Sequence, residues 1–275
     1  KAHLGESCYR QGSRLTELSR DKSRVQAIFA DGGAASADLL VASDGVNSTA
    51  RRLLSGEDEG SAYSGYVAWR GLENEGELPP SLVEPLAERF TLFTHPGLQM
   101  LCYLVPSADG ATEPGRRRVN WVWYVNAPET ELDRVLTGAS GMRYRSFLPA
   151  SDVHADVDRK VKDAAARELP SVFADLVSAS RIFMQPVQDV RPQQRLHGRA
   201  LLLGDAAGTV RPHTAAGTSK AFGDAALLAA ALKDWRSDMP LDKDKLEQWS
   251  AIRTQDLQAT ARRGIALAAG SGLGG

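Results

Sequence analysis

The chain has 275 residues, and 33 lysines and arginines stand against 34 aspartates and glutamates, for a formal net charge of −1. That balance excludes tight nucleic-acid binding driven by bulk charge. A content of 43% hydrophobic and 24% charged residues excludes extensive disorder or a fibrous repeat. The longest uninterrupted apolar run, residues 225–232, is far short of the roughly 20 residues of a membrane span.

In chain order, the opening KAHLGESCYRQG carries neither an initiator Met nor an apolar signal region and reads as an internal start. Leu15 and Leu18, the alternating Val25, Ala27 and Phe29, and the turn signal Asp31-Gly32-Gly33 predict a small β-meander. Asp38-Leu39-Leu40-Val41-Ala42 reads as a strand buried on both faces that ends in Asp44-Gly45, with a helix over 48–54 and a turn at 56–60. From 64 to 126, β-branched and aromatic runs separated by Pro/Gly-rich or charged turns predict an antiparallel sheet. Val153, Val157, Val161 and Ala164/Ala165 mark a helix stopped by Leu169-Pro170, and 182–190 reads as a strand that Pro186 demotes to an edge or a bulge. Arg199-Ala200-Leu201-Leu202-Leu203 is a second buried strand ending in Gly204-Asp205, with a small-residue helix over 220–232. Leu246, Trp249, Ile252 and Leu257 mark a last amphipathic helix before a mobile Gly-rich end, GSGLGG.

The reading is of an α/β (α+β) protein in which 1–62 and 194–275 build part of a Rossmann-like domain and 63–193 an antiparallel-sheet domain. Cys8 and Cys102 supply neither a disulfide framework nor a four-ligand zinc site, which points to a reducing, cytoplasmic setting without a metal.

Two strand ends place an Asp beside a Gly where an α/β sheet opens its ligand crevice. The first is Asp44-Gly45-Val46-Asn47-Ser48-Thr49-Ala50-Arg51, and the second begins Gly204-Asp205 and runs through Arg211-Pro212-His213 to Gly217. Either alone could be a tight turn with a helix N-cap. Together they suit a polyol: a carboxylate accepts hydrogen bonds from hydroxyls, and a glycine permits close backbone approach. A helix starting near Gly217 would aim N–H groups and its positive dipole end at an anionic ring carbonyl lying over 211–216.

With these residues in view, the sequence resembles the single-component FAD-dependent aromatic hydroxylases of the p-hydroxybenzoate hydroxylase type. The resemblance rests on DGVNSTAR, on GDAAGTVRPHTAAGTSKA and on the intervening AYSGYVAWRG and NWVWYVN, and it extends over nearly the whole chain. It implies that Gly204 and Asp205 hold the FAD ribityl and that Pro212 sits beside the reactive edge of the flavin. It places the backbone of Ala216, Gly217, Thr218 and Ser219 against the ring carbonyl beside N1, puts Asp44 and Gly45 along the cofactor groove, and has Arg51 support that motif through an ion pair. His213 is then the candidate acceptor for the proton of a substrate hydroxyl, and Arg211 a candidate partner for an anionic substrate. Tyr66 and Trp69 belong to a sheet that in this family roofs the substrate pocket.

The implied reaction is hydroxylation of a hydroxylated aromatic or N-heteroaromatic ring, such as a dihydroxypyridine, by molecular oxygen through a flavin C4a-hydroperoxide, with NADH or NADPH as electron donor. Two alternatives stay open: a flavoprotein oxidoreductase of the same fold that inserts no oxygen, and an inactive fragment or binding module. The sequence departs from the family pattern at Gly208, where many members have His, and at Arg211, where many have Pro. No G-x-G-x-x-G loop for the FAD pyrophosphate is expected in this chain, so an N-terminal segment or separate chain is implied as a partner, and a homodimer is left open. His3, His95, His154 and His197 read as ordinary residues, and Arg116-Arg117-Arg118 as a solvated turn.

Overall fold

The computed structural model describes residues 8–56 and 61–274, so His3 and most of the turn expected at 56–60 lie outside the described residues. Its elements in chain order are β1 (Leu15–Arg20), β2 (Val25–Phe29), β3 (Ala34–Ala37), β4 (Leu40–Ala42), α1 (Thr49–Ser55), β5 (Ala62–Asn74), α2 (Pro80–Val83), β6 (Thr91–His95), β7 (Leu98–Val105), β8 (Arg118–Asn126), α3 (Glu129–Val135), α4 (Ala155–Glu168), α5 (Ser171–Ala179), β9 (Phe183–Asp189), β10 (Leu196–His197), β11 (Ala200–Leu202), α6 (Gly217–Ala231) and α7 (Lys243–Gly270). They fall into two compact units, Lys1–Ala62 with Gln188–Ile265 and Tyr63–Val187 with Ala266–Gly275.

The first unit is α/β. Strands β1, β2 and β3 form an antiparallel meander, and its tight turns are set by aspartates, Asp21 Oδ1 accepting from the Ser23 and Arg24 N–H groups and Asp31 Oδ1 from the Gly33 N–H. Strand β4 runs parallel to β11, and β10 adds to β11 antiparallel. The period-2 alternation of β11 sends Ala200 and Leu202 into a cluster with Ala50 and Leu54 of α1, and Leu201 into a cluster with Leu228 of α6 and Leu246 and Trp249 of α7. This is why β11 is wholly buried. Strand β4 is different from expectation: it lies at the edge of its sheet, and Val41 is exposed.

The second unit is a five-stranded sheet in the order β6-β7-β8-β5-β9, antiparallel between β6, β7, β8 and β5, with β9 at an edge as Pro186 requires. One face carries Val67, Trp69, Trp121, Trp123, Met100 and Cys102, packed with Val161 and Ala165 of α4 and Phe173, Leu176 and Val177 of α5. Trp121 lies across Gly71, its register partner, where a Cβ would stand 2.3 Å from the indole Nε1. That nitrogen instead donates to Ser180 Oγ at 2.8 Å. The opposite face carries Tyr66, Ala68, Val122 and Tyr124, and part of it is covered by Ala268 and Leu273.

Three expectations are corrected here. The last helix, α7, runs to Gly270 because 260–270 is rich in alanine and strong helix formers. The Gly-rich end is not loose: Gly97 N–H donates to Ser271 O at 2.9 Å, Asn126 Nδ2 to Gly272 O at 2.7 Å, and Leu273 is fully buried. Its letters, Gly270-Ser271-Gly272-Leu273-Gly274-Gly275, do match the spacing G-x-G-x-x-G, but they follow a helix where the pyrophosphate loop must follow a strand and open a helix. No helix among the described residues is long and apolar enough to cross a membrane.

Candidate functional site

The first Asp-Gly motif is a helix cap. Asp44 Oδ2 accepts from the Ala50 N–H at 3.0 Å, its Oδ1 accepts from the Ser48 hydroxyl, and Ser48 Oγ in turn accepts from the Arg51 N–H at 2.9 Å. Gly45 has φ +80° and nothing within 4 Å of where a Cβ would stand, so the turn presents open backbone. Arg51 does not make the expected ion pair. Its buried guanidinium donates to two carbonyls, Val46 O at 2.7 Å and Ala206 O at 3.1 Å, and so ties the loop after β4 to the loop after β11. Burial pushes its pKa down, with Asp44 acting against the shift.

The second motif opens as a 3₁₀ turn over Gly204–Ala206. Ala206 and Ala207 are buried, while the Asp205 side chain is half exposed. Lys220 Nζ, itself buried, reaches Asp205 Oδ1 at 3.4 Å and donates to Gly208 O at 2.6 Å. Burial lowers the Lys220 pKa, and Asp205 and then Asp224 oppose that shift. Behind the turn, the fully buried Asp224 accepts from Arg195 Nη1 at 2.9 Å, Arg253 Nε at 2.8 Å and the Gly204 N–H at 3.0 Å.

Sequence reasoning missed Lys220, Asp224, Arg195 and Arg253. The available signal was a Lys and an Asp four residues apart, on one face of an otherwise alanine- and leucine-rich helix. Gly208, with φ +143°, is enforced locally: a Cβ there would lie 2.8 Å from Leu257 Cδ2 and 3.2 Å from Pro192 Cα. The family's His does not fit this packing.

Arg211, expected to face an anion, is already paired. Its Nε and Nη2 grip Asp189, with Nη2 at 2.8 Å from Oδ2, and the side chain is largely buried. Pro212–Thr214 form a second 3₁₀ turn that ends at Ala215 with φ +51°, a left-handed conformation uncommon for alanine. His213, half-buried in this turn, has its pKa pushed down to about 4, by burial first and by the Arg211 charge second. It is neutral near pH 7, able to accept a hydrogen bond but too weak a base to keep a proton there. Helix α6 then starts at Gly217 with no side-chain cap, and Thr218 and Ser219 are exposed. The N–H groups of Gly217, Thr218 and Ser219 lie in the first turn and have no intrahelical acceptor.

Tyr66 and Trp69 are an odd number of residues apart on β5 and so point to opposite faces of the sheet. Trp69 packs with Trp123 among the helices and is a core residue, which corrects its expected place at a substrate. Tyr66 lies on the other face, in edge-to-face contact with Tyr124 at 6.1 Å between ring centroids. Among the described residues no group of three metal-ligating side chains comes together.

A flavin fits these residues in part. The half-exposed Asp205 carboxylate suits a polyol, the uncapped start of α6 suits a ring carbonyl that gains negative charge, and Gly45 leaves open backbone. None of the described loops is a pyrophosphate loop opening a helix from a strand.

Comparison with known proteins agrees with this chemistry. A family model described as FAD binding domain-like matches residues 63–189, the antiparallel-sheet segment, and reaches neither Asp/Gly motif. The 2,6-dihydroxypyridine 3-monooxygenase of Paenarthrobacter nicotinovorans is 34% identical over 228 residues, covering 82% of this chain and 56% of that protein. An FAD-dependent urate hydroxylase of Klebsiella pneumoniae is 27% identical over 270 residues, covering 95% of this chain and 60% of that protein. The chain thus spans little more than half the length of these curated relatives. The structure of 2,6-dihydroxypyridine-3-hydroxylase from Arthrobacter nicotinovorans superimposes with a TM-score of 0.90 at 30% identity, over 100% of this chain and 68% of that one.

Proposed function

The chain belongs to the FAD-dependent hydroxylases of aromatic rings, and from that premise we propose that its protein is an NAD(P)H-dependent flavoprotein monooxygenase acting on a hydroxylated aromatic or N-heteroaromatic ring. The observation that carries the reading is the pairing of the half-exposed Asp205 turn with the uncapped N-terminus of α6. FAD, once reduced by NADH or NADPH, supplies the activation of molecular oxygen. The likeness to a dihydroxypyridine hydroxylase over 82% of the chain favours an N-heteroaromatic substrate.

The share of this chain is binding and placement. Asp205 accepts hydrogen bonds from the ribityl hydroxyls, and Gly204 sets the turn that aims it. The N–H groups of Gly217, Thr218 and Ser219 stabilise negative charge on the flavin carbonyl beside N1, in the manner of an oxyanion hole. Ala215 and Ala216 deliver the chain into that helix, and Pro212 stiffens the turn beside the ring edge. His213 stays neutral and accepts the hydroxyl proton of the substrate in a hydrogen bond, favouring the electron-rich form of the ring without removing the proton to bulk. Asp44 and Arg51 act one step back, holding the two loops in register.

We place the pyrophosphate loop outside these residues and the protein in the cytoplasm, a reducing setting that suits two cysteines neither of which is in a disulfide. The test is turnover of the full-length protein with 2,6-dihydroxypyridine. Substrate-stimulated NADH oxidation with label from ¹⁸O₂ in the ring product supports a monooxygenase. Oxidation without label in the product overturns it in favour of an oxidoreductase. Asp205→Ala removes charge-assisted bonds and is expected to weaken FAD retention roughly 10- to 100-fold.

A further inference from the structure

Arg70, in the middle of the open sheet face, carries a charge with no carboxylate in ion-pair reach among the described residues. It lies on β5 with its side chain on the face of Tyr66 and Tyr124, since Arg70 pairs with Val122 and Ala68 with Tyr124 in the β5–β8 register. The buried Arg51 gives Nη1 and Nη2 to two backbone carbonyls, and four further largely buried arginines of the described residues hold a carboxylate: Arg117 with Glu75, Arg195 and Arg253 with Asp224, Arg211 with Asp189. Arg70 holds none. Its Nη1 donates to Gln185 Oε1 at 2.8 Å, and its guanidinium stands over the Phe183 ring at 5.7 Å. These two neighbours fix its orientation while leaving its positive charge uncompensated. Its Nε is buried and makes no hydrogen bond. The Nε–Nη2 edge is the fork that Arg211 uses to grip Asp189, and in Arg70 it is unused.

A second unused donor shares this face. Asn120 pairs with Leu72, two residues beyond Arg70, and with Tyr103 of β7. It is 6% exposed, and its Nδ2 has no partner. As a diagonal neighbour across the strand pair it stands about 7–8 Å from Arg70. Around the two donors lie Tyr103, stacked on Phe90 at 5.6 Å, and the exposed Leu72 and Leu92. An uncompensated cation, an unpaired amide donor and a flat apolar rim ask for one kind of ligand: a planar ring bearing at least two acceptor oxygens, one of them ionised.

We propose that Arg70, oriented by Gln185 and Phe183 and assisted by Asn120, recognises the ionised oxygens of the ring substrate and so selects ring anions over neutral rings. The inference rests on the proposed function, whose ring substrate it makes more specific. It explains why a group needing a counter-ion is left without one inside the protein.

The experiment is calorimetric titration of the full-length, FAD-loaded protein with 2,6-dihydroxypyridine in its ionised form and, separately, with neutral 2-pyridone. The variants are Arg70→Met, Arg70→Lys and Asn120→Leu, each first checked for folding by thermal unfolding. Arg70→Met is expected to weaken the anion about 10- to 100-fold and the neutral ring less than about 3-fold. Arg70→Lys should recover part of the loss, since it keeps the charge and loses the fork. Equal weakening of both rings, or no weakening, overturns the role of Arg70 while leaving the monooxygenase reading standing. Selective weakening in a protein whose ring product carries no label from ¹⁸O₂ keeps Arg70 and overturns that reading. A wild-type protein that binds neither ring overturns both.

Discussion

Asp224→Asn tests whether the buried charge cluster behind the Gly204 turn holds the candidate site together. Asp224 and Arg195 are both fully buried, and the aspartate accepts from Arg195 Nη1, Arg253 Nε and the Gly204 N–H at 2.8–3.0 Å. The amide that replaces it keeps one acceptor oxygen but sets N–H donors against two guanidinium groups. Arg253 retains Asp256, whereas Arg195 keeps only long bonds to Leu202 O at 3.4 Å and Arg253 O at 3.3 Å, beside the face of Trp249. Breaking one side of such a pair costs about 3–5 kcal/mol. In a domain of this size that lowers the unfolding midpoint by about 6–20 °C. The loss of the Gly204 bond should also loosen the Asp205 turn, so FAD retention falls with stability. Scanning calorimetry and FAD titration of the full-length protein read the two effects. The paired variant Asp224→Leu with Arg195→Met removes both charges and should be less destabilised than Asp224→Asn alone. A midpoint within about 2 °C of wild type for Asp224→Asn, below what 1 kcal/mol produces, refutes the reasoning.

Gly208→His, which restores the residue many relatives carry, should destabilise by about 1–3 kcal/mol, because its Cβ meets Leu257 at 2.8 Å and φ is +143°. Adding Leu257→Ala should recover only part of that, since Pro192 Cα remains at 3.2 Å, and urea midpoints measure both. His213 has a folded pKa of about 4 against an ordinary 6.5, so the unfolded chain takes up the proton first as pH falls. Its environment therefore favours folding fully above about pH 6.5, and that advantage is lost as pH drops toward 4. Urea midpoints between pH 7 and 4.5 should fall less steeply in His213→Gln than in wild type. Trp69→Leu should cost about 3 kcal/mol by core loss, while ring affinity of the folded protein, read by calorimetry, stays within about 2-fold.

Much of the fold is legible from period and punctuation. The β1–β3 meander, the helix α1, the four antiparallel strands β6, β7, β8 and β5, and the edge position of β9 follow from alternation, Asp-Gly turns and one proline. The short helices α2 and α3 and the helix α5 do not show, because each begins at or directly after a proline and is too short for its apolar period to stand out. The Gly-rich end misleads for a related reason. Composition reports that the backbone is free to move, but tertiary bonds from Gly97 and Asn126 decide whether it does.

The site is legible in its backbone and obscure in its charges. Gly204, Asp205 and the start of α6 are found by motif, since turns and helix starts are local events written in adjacent residues. Charged side chains choose partners across the fold, and no local pattern shows whether a partner is waiting. Arg211 reads as an available cation until Asp189 is seen 22 positions away, and Arg51 reads as an ion pair until its donors are found on two carbonyls. Arg70 is the converse: in the sequence nothing sets it apart from the aromatic residues of its strand, and only the folded chain shows that no carboxylate pairs with it among the described residues. Arg117, Arg195, Arg211 and Arg253 each find a carboxylate inside the fold, whereas Arg70 has one neutral acceptor, Gln185, and a buried Nε with no bond, which leaves room for an acceptor from outside.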